Sequence, residues 1–235
     1  IFAWFNFSIM EVTAKYLSFK YPITEVIWIR FFSQTIVLFL IFFPFIKTKL
    51  ITHSLYLHIS RGVCLFFAAL FFFIGFTKTD LANATAIYKT SPIFLTLCSI
   101  FFLKETNFLV IKFLTVFLAL IGALIIINPS SSSFSIYSFF PLFAAISLAI
   151  FGLITRYFRE RENPFTSIIY TALTGTILSS FLFPFFDWKP FVMQDIPFFV
   201  VIGTVSTLGH FLLIKAFQIE EASNLASFST VVIFF

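Results

Sequence analysis

Charge is what this sequence has least of. Only 11% of its 235 residues are Asp, Glu, Lys or Arg, where a water-soluble domain carries about 25%. So few ionic groups cannot cover a water-soluble globule. Cysteine is equally scarce: Cys64 and Cys98 are the only two. Both fall inside apolar runs, which excludes a disulfide framework and reads as two buried thiols. Motifs of catalysis are missing too. The sequence has no phosphate-cradling glycine loop, no zinc spacing and no nucleophile elbow. It therefore offers no metal, no cofactor and no enzymatic chemistry.

What is present is apolar length. Hydrophobic residues make up 60% of the chain, and 41 residues are phenylalanine, read here as lipid-facing filler rather than an aromatic path. A bilayer core about 30 Å thick needs about 20 mostly apolar residues per helix. Such runs occupy 1–17, 24–43, 60–77, 82–103, 108–127, 136–155, 165–186 and 197–215, and a last one opens at 222. They are apolar all round, unlike the alternating strands of a membrane barrel. Pro44, Pro129, Pro164, Pro190 and Pro197 punctuate them, as a residue without an N–H should. The fold class is thus all-α, a polytopic membrane protein of about nine helices. The chain begins at Ile1 and stops inside an apolar run at 231–235, so it reads as truncated at both ends.

The formal charge of +5 reports topology, not nucleic acid. With a cytoplasmic N-terminus, Lys47, Lys49, Arg61, Lys104, Lys112, Arg156, Arg159, Arg161 and Lys215 fall on or near the inner side. Lys15, Lys20, Lys78 and Lys189 fall near the outer side. Nine against four fits the positive-inside rule. The expectation is a multi-pass protein of the inner (cytoplasmic) membrane.

The two halves also resemble each other at an offset of about 140 residues. Phe42-Phe43-Pro44-Phe45 matches Leu182-Phe183-Pro184-Phe185, and Ala82, Ala86, Tyr88, Thr90 and Phe94 match Ala222, Ala226, Phe228, Thr230 and Phe234. The loop-like run 128–133 separates them. Each half holds five helices, an odd number, so the second must enter the membrane inverted. That predicts a first repeat over 1–128 and a second over 134–235, truncated in helix 9. Inverted repeats belong to secondary transporters, in which two halves rock about a central site.

Several residues carry a further resemblance. They are Lys15-Tyr16-Leu17, Tyr21-Pro22, Trp28-Ile29-Arg30, Ala82-Asn83-Ala84-Thr85-Ala86, Ser91-Pro92-Ile93-Phe94, Lys104-Glu105 and Gly122. In the second half, the run from Gly209 to Phe217 and Glu221-Ala222-Ser223 continue the pattern. In order and spacing the chain resembles the drug/metabolite transporter superfamily of the EamA type, and within it is similar to the S-adenosylmethionine uptake branch. The resemblance implies a ten-helix 5+5 inverted-repeat fold with a cavity lined by helices 3, 4, 8 and 9. It implies a small-molecule substrate, and no nucleotide site is visible, so a gradient or exchange would drive transport. Val232 stands where the repeat partner has Pro92, so a proline kink is expected in the first half only.

Ionisable groups inside a bilayer are costly and mark function. Glu11, Arg30 and Lys89 stand out, each roughly 10 Å deep at 1.5 Å per residue. Lys89 shares a helix face with Thr85, Pro92, Thr96 and Ser99. That face suits a cavity wall, with Lys89 as anchor for a substrate carboxylate or as a proton-coupled switch. Against this stand a structural ion pair with Glu11, a snorkelling side chain, and a local Glu11–Lys15 pair. His210 can relay protons or hydrogen-bond a neighbouring helix. Asn83 and Asn224 open helices as caps or cavity groups. Tyr88, Trp4 and Trp28 can stack on a substrate or mark the interfacial belt. Thr171 and Gly175 form a small-xxx-small helix contact. The sequence fits three classes: a metabolite transporter (an S-adenosylmethionine importer, or an exporter of amino acids or other metabolites), an intramembrane enzyme, or a non-transporting scaffold. Oligomeric state has no signature in it.

Overall fold

A computed structural model describes residues 2–45, 50–52, 54–104, 110, 114, 117–118, 121–122, 136–157, 163–185, 188–222 and 225. Its helices are α1 (Phe2–Ser18), α2 (Ile23–Phe42), α3 (Leu55–Lys78), α4 (Leu81–Tyr88), α5 (Ser91–Leu103), α6 (Phe139–Tyr157), α7 (Pro164–Ser180) and α8 (Ile196–Ile219). No strand occurs among the described residues. Among the described residues, five segments are long and apolar enough to cross a bilayer: Ile23–Phe45, Leu55–Lys78, Leu81–Leu103, Ile136–Tyr157 and Met193–Ile219. Helices α1 and α7 have 17 residues each, about 26 Å at 1.5 Å per residue, the short end of what spans. Large apolar side chains such as Phe43, Phe101 and Phe181 are exposed, a surface that suits hydrocarbon and not water. The chain is an all-α, multi-pass membrane protein. Of the fifth predicted helix, Val110, Leu114, Phe117, Leu118, Ile121 and Gly122 are described, and all are helical.

Three boundaries differ from the sequence reading, each for a local reason. Helix α3 starts at Leu55 rather than 60, because the Ser54 carbonyl accepts the Leu57 and His58 N–H groups and begins the helix. His58 and Arg61 interrupt the apolar run without interrupting the backbone. The run predicted as 165–186 stops at Ser180 and continues as a 3₁₀ turn at Phe183–Phe185, where Pro184 has no N–H to extend an α-helix. The run predicted as 82–103 is broken at Lys89 and Thr90. Pro92 cannot donate to the Tyr88 carbonyl, and its ring crowds that oxygen. The chain tightens instead. The Thr90 N–H and Oγ1 both donate to the Ile87 carbonyl, at 3.0 and 2.6 Å, and the Ile93 N–H reaches Thr90 at 2.9 Å. The first-half kink expected at Pro92 is there, and its repeat partner Val232 lies outside the described residues.

The chain packs as two units, and each draws on both halves of the sequence. The arginine unit spans 2–66 and 160–215. It holds α1, α2, the start of α3, α7 and most of α8. Here α2 and α7 run antiparallel: Trp28 Nε1 donates to Ser180 Oγ at 2.9 Å, Thr35 and Thr176 hydroxyls meet at 2.9 Å, and Phe42 packs on Phe165 at 4.7 Å. Gly175 admits the Phe31 ring, which a Cβ would strike. At Gly203 a Cβ would come within 2.7 Å of the Ser33 carbonyl carbon. These two contacts hold α2 between α7 and α8.

The lysine unit spans 67–159 and 216–235. It contains the end of α3, then α4, α5, α6 and the end of α8. Its core is alanine and phenylalanine: Ala68, Ala69, Phe72, Phe73, Phe76, Ala144, Ala145, Ala149 and Phe151 are all buried. Small residues let the helices approach closely. At Gly75 a Cβ would stand 2.5 Å from Pro141 Cγ. Arg156 closes this unit by donating from Nη1 to the Phe217 carbonyl at 2.8 Å. It is buried, not a free inner-face charge.

Candidate functional site

The residues singled out in the sequence fall into both units. In the lysine unit, Lys89 occupies the break between α4 and α5. Its backbone N–H donates to Thr85, at 2.9 Å, the last α-helical bond before Pro92. Thr85 and Tyr88 are half-buried, and Lys89, Thr96 and Ser99 are buried. Tyr88 packs on Phe72 with ring centroids 4.6 Å apart. Its ring is thus part of the protein's packing. Asn83 is not the cap of its helix, because the N-cap position is Asp80. Asn224 lies outside the described residues.

Glu11, Arg30 and His210 are all buried in the arginine unit. Arg30 does not snorkel: its guanidinium sits 4.9 Å from the Phe31 ring centroid. His210 Nδ1 lies 2.7 Å from the Ser206 carbonyl. A carbonyl only accepts, so Nδ1 carries the proton, and in the neutral ring Nε2 is the acceptor. Phe7, one turn before Glu11, meets His210 edge-on at 4.9 Å.

Arg61, counted above only as a cation on or near the inner side, has a packing role that the count does not show. It is fully buried, and its Nη2 donates to the Ser167 carbonyl and, at 2.6 Å, to Thr171 Oγ1. The small residue Thr171 thus takes a guanidinium, while Gly175 makes the close helix contact. Three more polar residues escaped the sequence reading. His58 stacks on Tyr170 at 5.2 Å, and Gln34 and Glu25 are 0% exposed. Spacing held the signal: Arg30 and Gln34 are four apart, His58 and Arg61 three apart, so each pair shares a helix face.

Near the start of α2 a second polar network ties 20–28 to 188–195. Lys20 Nζ pairs with Asp195 at 2.6 Å, Tyr21 OH donates to Asp195 at 2.9 Å, and the Lys189 N–H donates to Glu25 at 3.1 Å. The Asp195 hydrogen bond pushes the Lys20 ammonium up to about 12, and burial raises the Tyr21 phenol above its usual range. Trp28 packs here on Trp188 and Phe191. Cys64 and Cys98 are free and half-buried, less enclosed than expected.

Residues 1–128 match the EamA-like transporter family. The chain is 27% identical over 230 residues to an S-adenosylmethionine uptake transporter of Rickettsia bellii, covering 96% of this chain and 78% of that protein. It is also 27% identical over 231 residues to a pseudopaline exporter of Pseudomonas aeruginosa, covering 96% and 79%. A riboflavin transporter of Brucella anthropi is 28% identical over 177 residues, 73% of this chain and 62% of that protein.

Proposed function

The chain belongs to the EamA-like transporter family, and on that premise we propose that it takes up S-adenosylmethionine across the inner membrane as a secondary transporter. Movement of a small molecule, rather than its chemical conversion, follows from the family. The observation that carries the substrate is the likeness to S-adenosylmethionine uptake transporters along nearly the whole chain. A second reading, export of a different metabolite, has the equal likeness to a pseudopaline exporter in its favour.

The architecture we propose is ten helices in two inverted repeats, 1–128 and 134–235, with a cytoplasmic N-terminus. Packing in the arginine unit supports it. Thr35 and Thr176 touch each other and lie 141 residues apart. The same shift carries Gly62 to Gly203 and Ser33 to Thr174. Gly62 packs against Thr174, and Gly203 packs against Ser33. Two contacts are therefore copies of each other, with Thr35 and Thr176 meeting where a pseudo-two-fold axis would pass. Antiparallel α2 and α7 agree with inversion, as do their matching 3₁₀ turns at Phe43–Phe45 and Phe183–Phe185.

In this mechanism Lys89 sits on a broken span, the kind of element on which transporters build sites. Lys89, with Thr85, Tyr88 and Thr96, forms the substrate-facing stripe. Within the arginine unit, the further candidates are Glu11, Arg30 and His210, and Asn224, a candidate from the sequence, lies outside the described residues. Labelled S-adenosylmethionine uptake by cells expressing the complete gene tests the proposal. Saturable uptake that falls at least about 10-fold in Lys89→Ala is expected, the loss of one charged contact. Uptake equal to empty vector rejects the importer, and efflux from preloaded cells would then favour the exporter. A scaffold would tolerate the substitution.

A further inference from the structure

The stretch that leads into α8 is tied to the start of α2 mainly by polar bonds. Residues 188–192 have no regular structure, and Met193–Asp195 form one 3₁₀ turn before the helix. Lys20 Nζ and Tyr21 OH both donate to the Asp195 carboxylate, at 2.6 and 2.9 Å. The Val192 N–H donates to Tyr21 OH at 3.1 Å, and the Lys189 N–H donates to Glu25 Oε2 at 3.1 Å. Lys189 Nζ reaches the Lys20 carbonyl at 3.0 Å. Apolar contact adds less. Phe191 meets the Tyr21 and Phe199 rings yet stays 48% exposed, and Val192 and Met193 are exposed. Nor does the repeat duplicate this tie. Shifted by 141 residues, the separation of Thr35 and Thr176, Glu25 falls on Thr166 and Asp195 on Ser54. Neither is a carboxylate, so a tie through these two acids belongs to one repeat only. The docked state is also imperfect. Glu25 is 0% exposed, and its Oε1 has no hydrogen-bond partner. A buried acceptor left bare costs free energy that water returns when it enters. A segment with few buried apolar contacts and with bonds that water can replace opens locally, ahead of the helices it lies on.

We infer that residues 188–195 are a strap that lifts from the start of α2 and closes on it as one piece, with Tyr21, Glu25 and Asp195 as its clasp. The helices beneath it stay whole. Its role rests on the transport reading above: in the proposed orientation this end of the arginine unit faces outward, and the strap is an outer gate of the transport cycle. The lifting itself is measured without a substrate, so its failure and the failure of the transport reading are distinguishable.

The test is residue-resolved hydrogen–deuterium exchange on the full-length protein in lipid nanodiscs. The Lys189 and Val192 N–H groups report on the clasp, because their partners are Glu25 and Tyr21. In the wild type both are expected to exchange at least about 10-fold more slowly than a free chain and at least about 10-fold faster than the interiors of α2 and α7. Tyr21→Phe removes the acceptor of Val192 and touches no bond of Lys189. A strap that lifts as one piece speeds both amides in that variant, by about 10-fold, the value of a hydrogen bond to a charged group. Asp195→Ala, which also frees Lys20, should speed them further. The amides of α2 and α7 should keep their wild-type rates in both variants. Wild-type exchange at the helix-interior rate would make the segment a fixed brace and overturn the inference, and exchange at the free-chain rate would dissolve the clasp. An unchanged Lys189 in Tyr21→Phe, or α2 and α7 accelerated as much as the strap, overturns it as well. Should Asp195→Ala fail to fold, the wild type and Tyr21→Phe, which loses one hydroxyl, decide the matter.

Discussion

The two packing units solve one problem in two ways. Both must carry polar groups through hydrocarbon. The lysine unit does so in its backbone: a proline opens the span at Lys89, and around it stand close-packed alanine and phenylalanine. The arginine unit keeps its helices whole and concentrates polarity in side chains, Arg30, Gln34, His58, Arg61 and His210. A broken span can change shape at little cost, since its hydrogen bonds are already rearranged. A network anchored on α7 through Arg61 resists change. The difference assigns stiffness to one unit and adaptability to the other.

Arg61→Ala should break that comparison hardest. It strips a buried cation from the Ser167 carbonyl and Thr171, a loss on the order of 3 kcal/mol. Detergent-solubilised protein should lose its single size-exclusion peak and melt far lower. Lys89→Ala in the other unit should melt near wild type. Equal destabilisation by both would erase the distinction. Gly203→Val comes next. Its Cβ has no room against the Ser33 backbone, so α2 and α8 must part, at a cost of about 1–3 kcal/mol. The repeat-related Gly62 would bring a Cβ within 2.6 Å of Thr174 Cβ, an atom that the backbone fixes. Gly62→Ala should therefore also lower the melting temperature in the same assay.

Pro92→Ala probes the adaptable side. It restores an N–H to the Tyr88 carbonyl and should make α4 and α5 one helix. The span should gain about 1 kcal/mol or more, while the uptake rate falls. Faster melting with unchanged uptake would mean that the break is packing, not mechanism.

How much of this was legible beforehand follows from what hydropathy measures. Spans are long apolar runs, so α1, α2, α6 and α8 came within a few residues of their predicted limits. Hydropathy does not register where a backbone carbonyl goes, so the break at Lys89 showed only as Pro92 and an expected kink. Charge counting fails differently. It sorts basic residues by side of the membrane and carries nothing about burial, so it did not show that Arg61 and Arg156 are both buried. Gln34 left no mark as a candidate because it carries no charge and stands inside an apolar run, whereas Asn83 and Asn224 stood out at predicted helix starts.

The smallest effect is expected at the loop network beside α2. Lys20 is 42% exposed while Asp195 is enclosed, so solvent screens much of their attraction. The Asp195 hydrogen bond holds the Lys20 ammonium up at about 12, above the usual 10.5. A cation whose folded value is raised adds stability in full below the unfolded value and loses it as pH climbs through the folded one. Lys20→Met should therefore lower the melting temperature slightly and by a constant amount from neutral pH up to about 10. On the alkaline side the gap should close between 10.5 and 12, and in acid it closes when the Asp195 carboxylate takes up a proton. A gap that closed near neutral pH would assign the network's stability to another group. No gap at all would make it an ornament of the loop, and the arginine unit's stiffness would then rest on Arg61 and the glycine contacts alone.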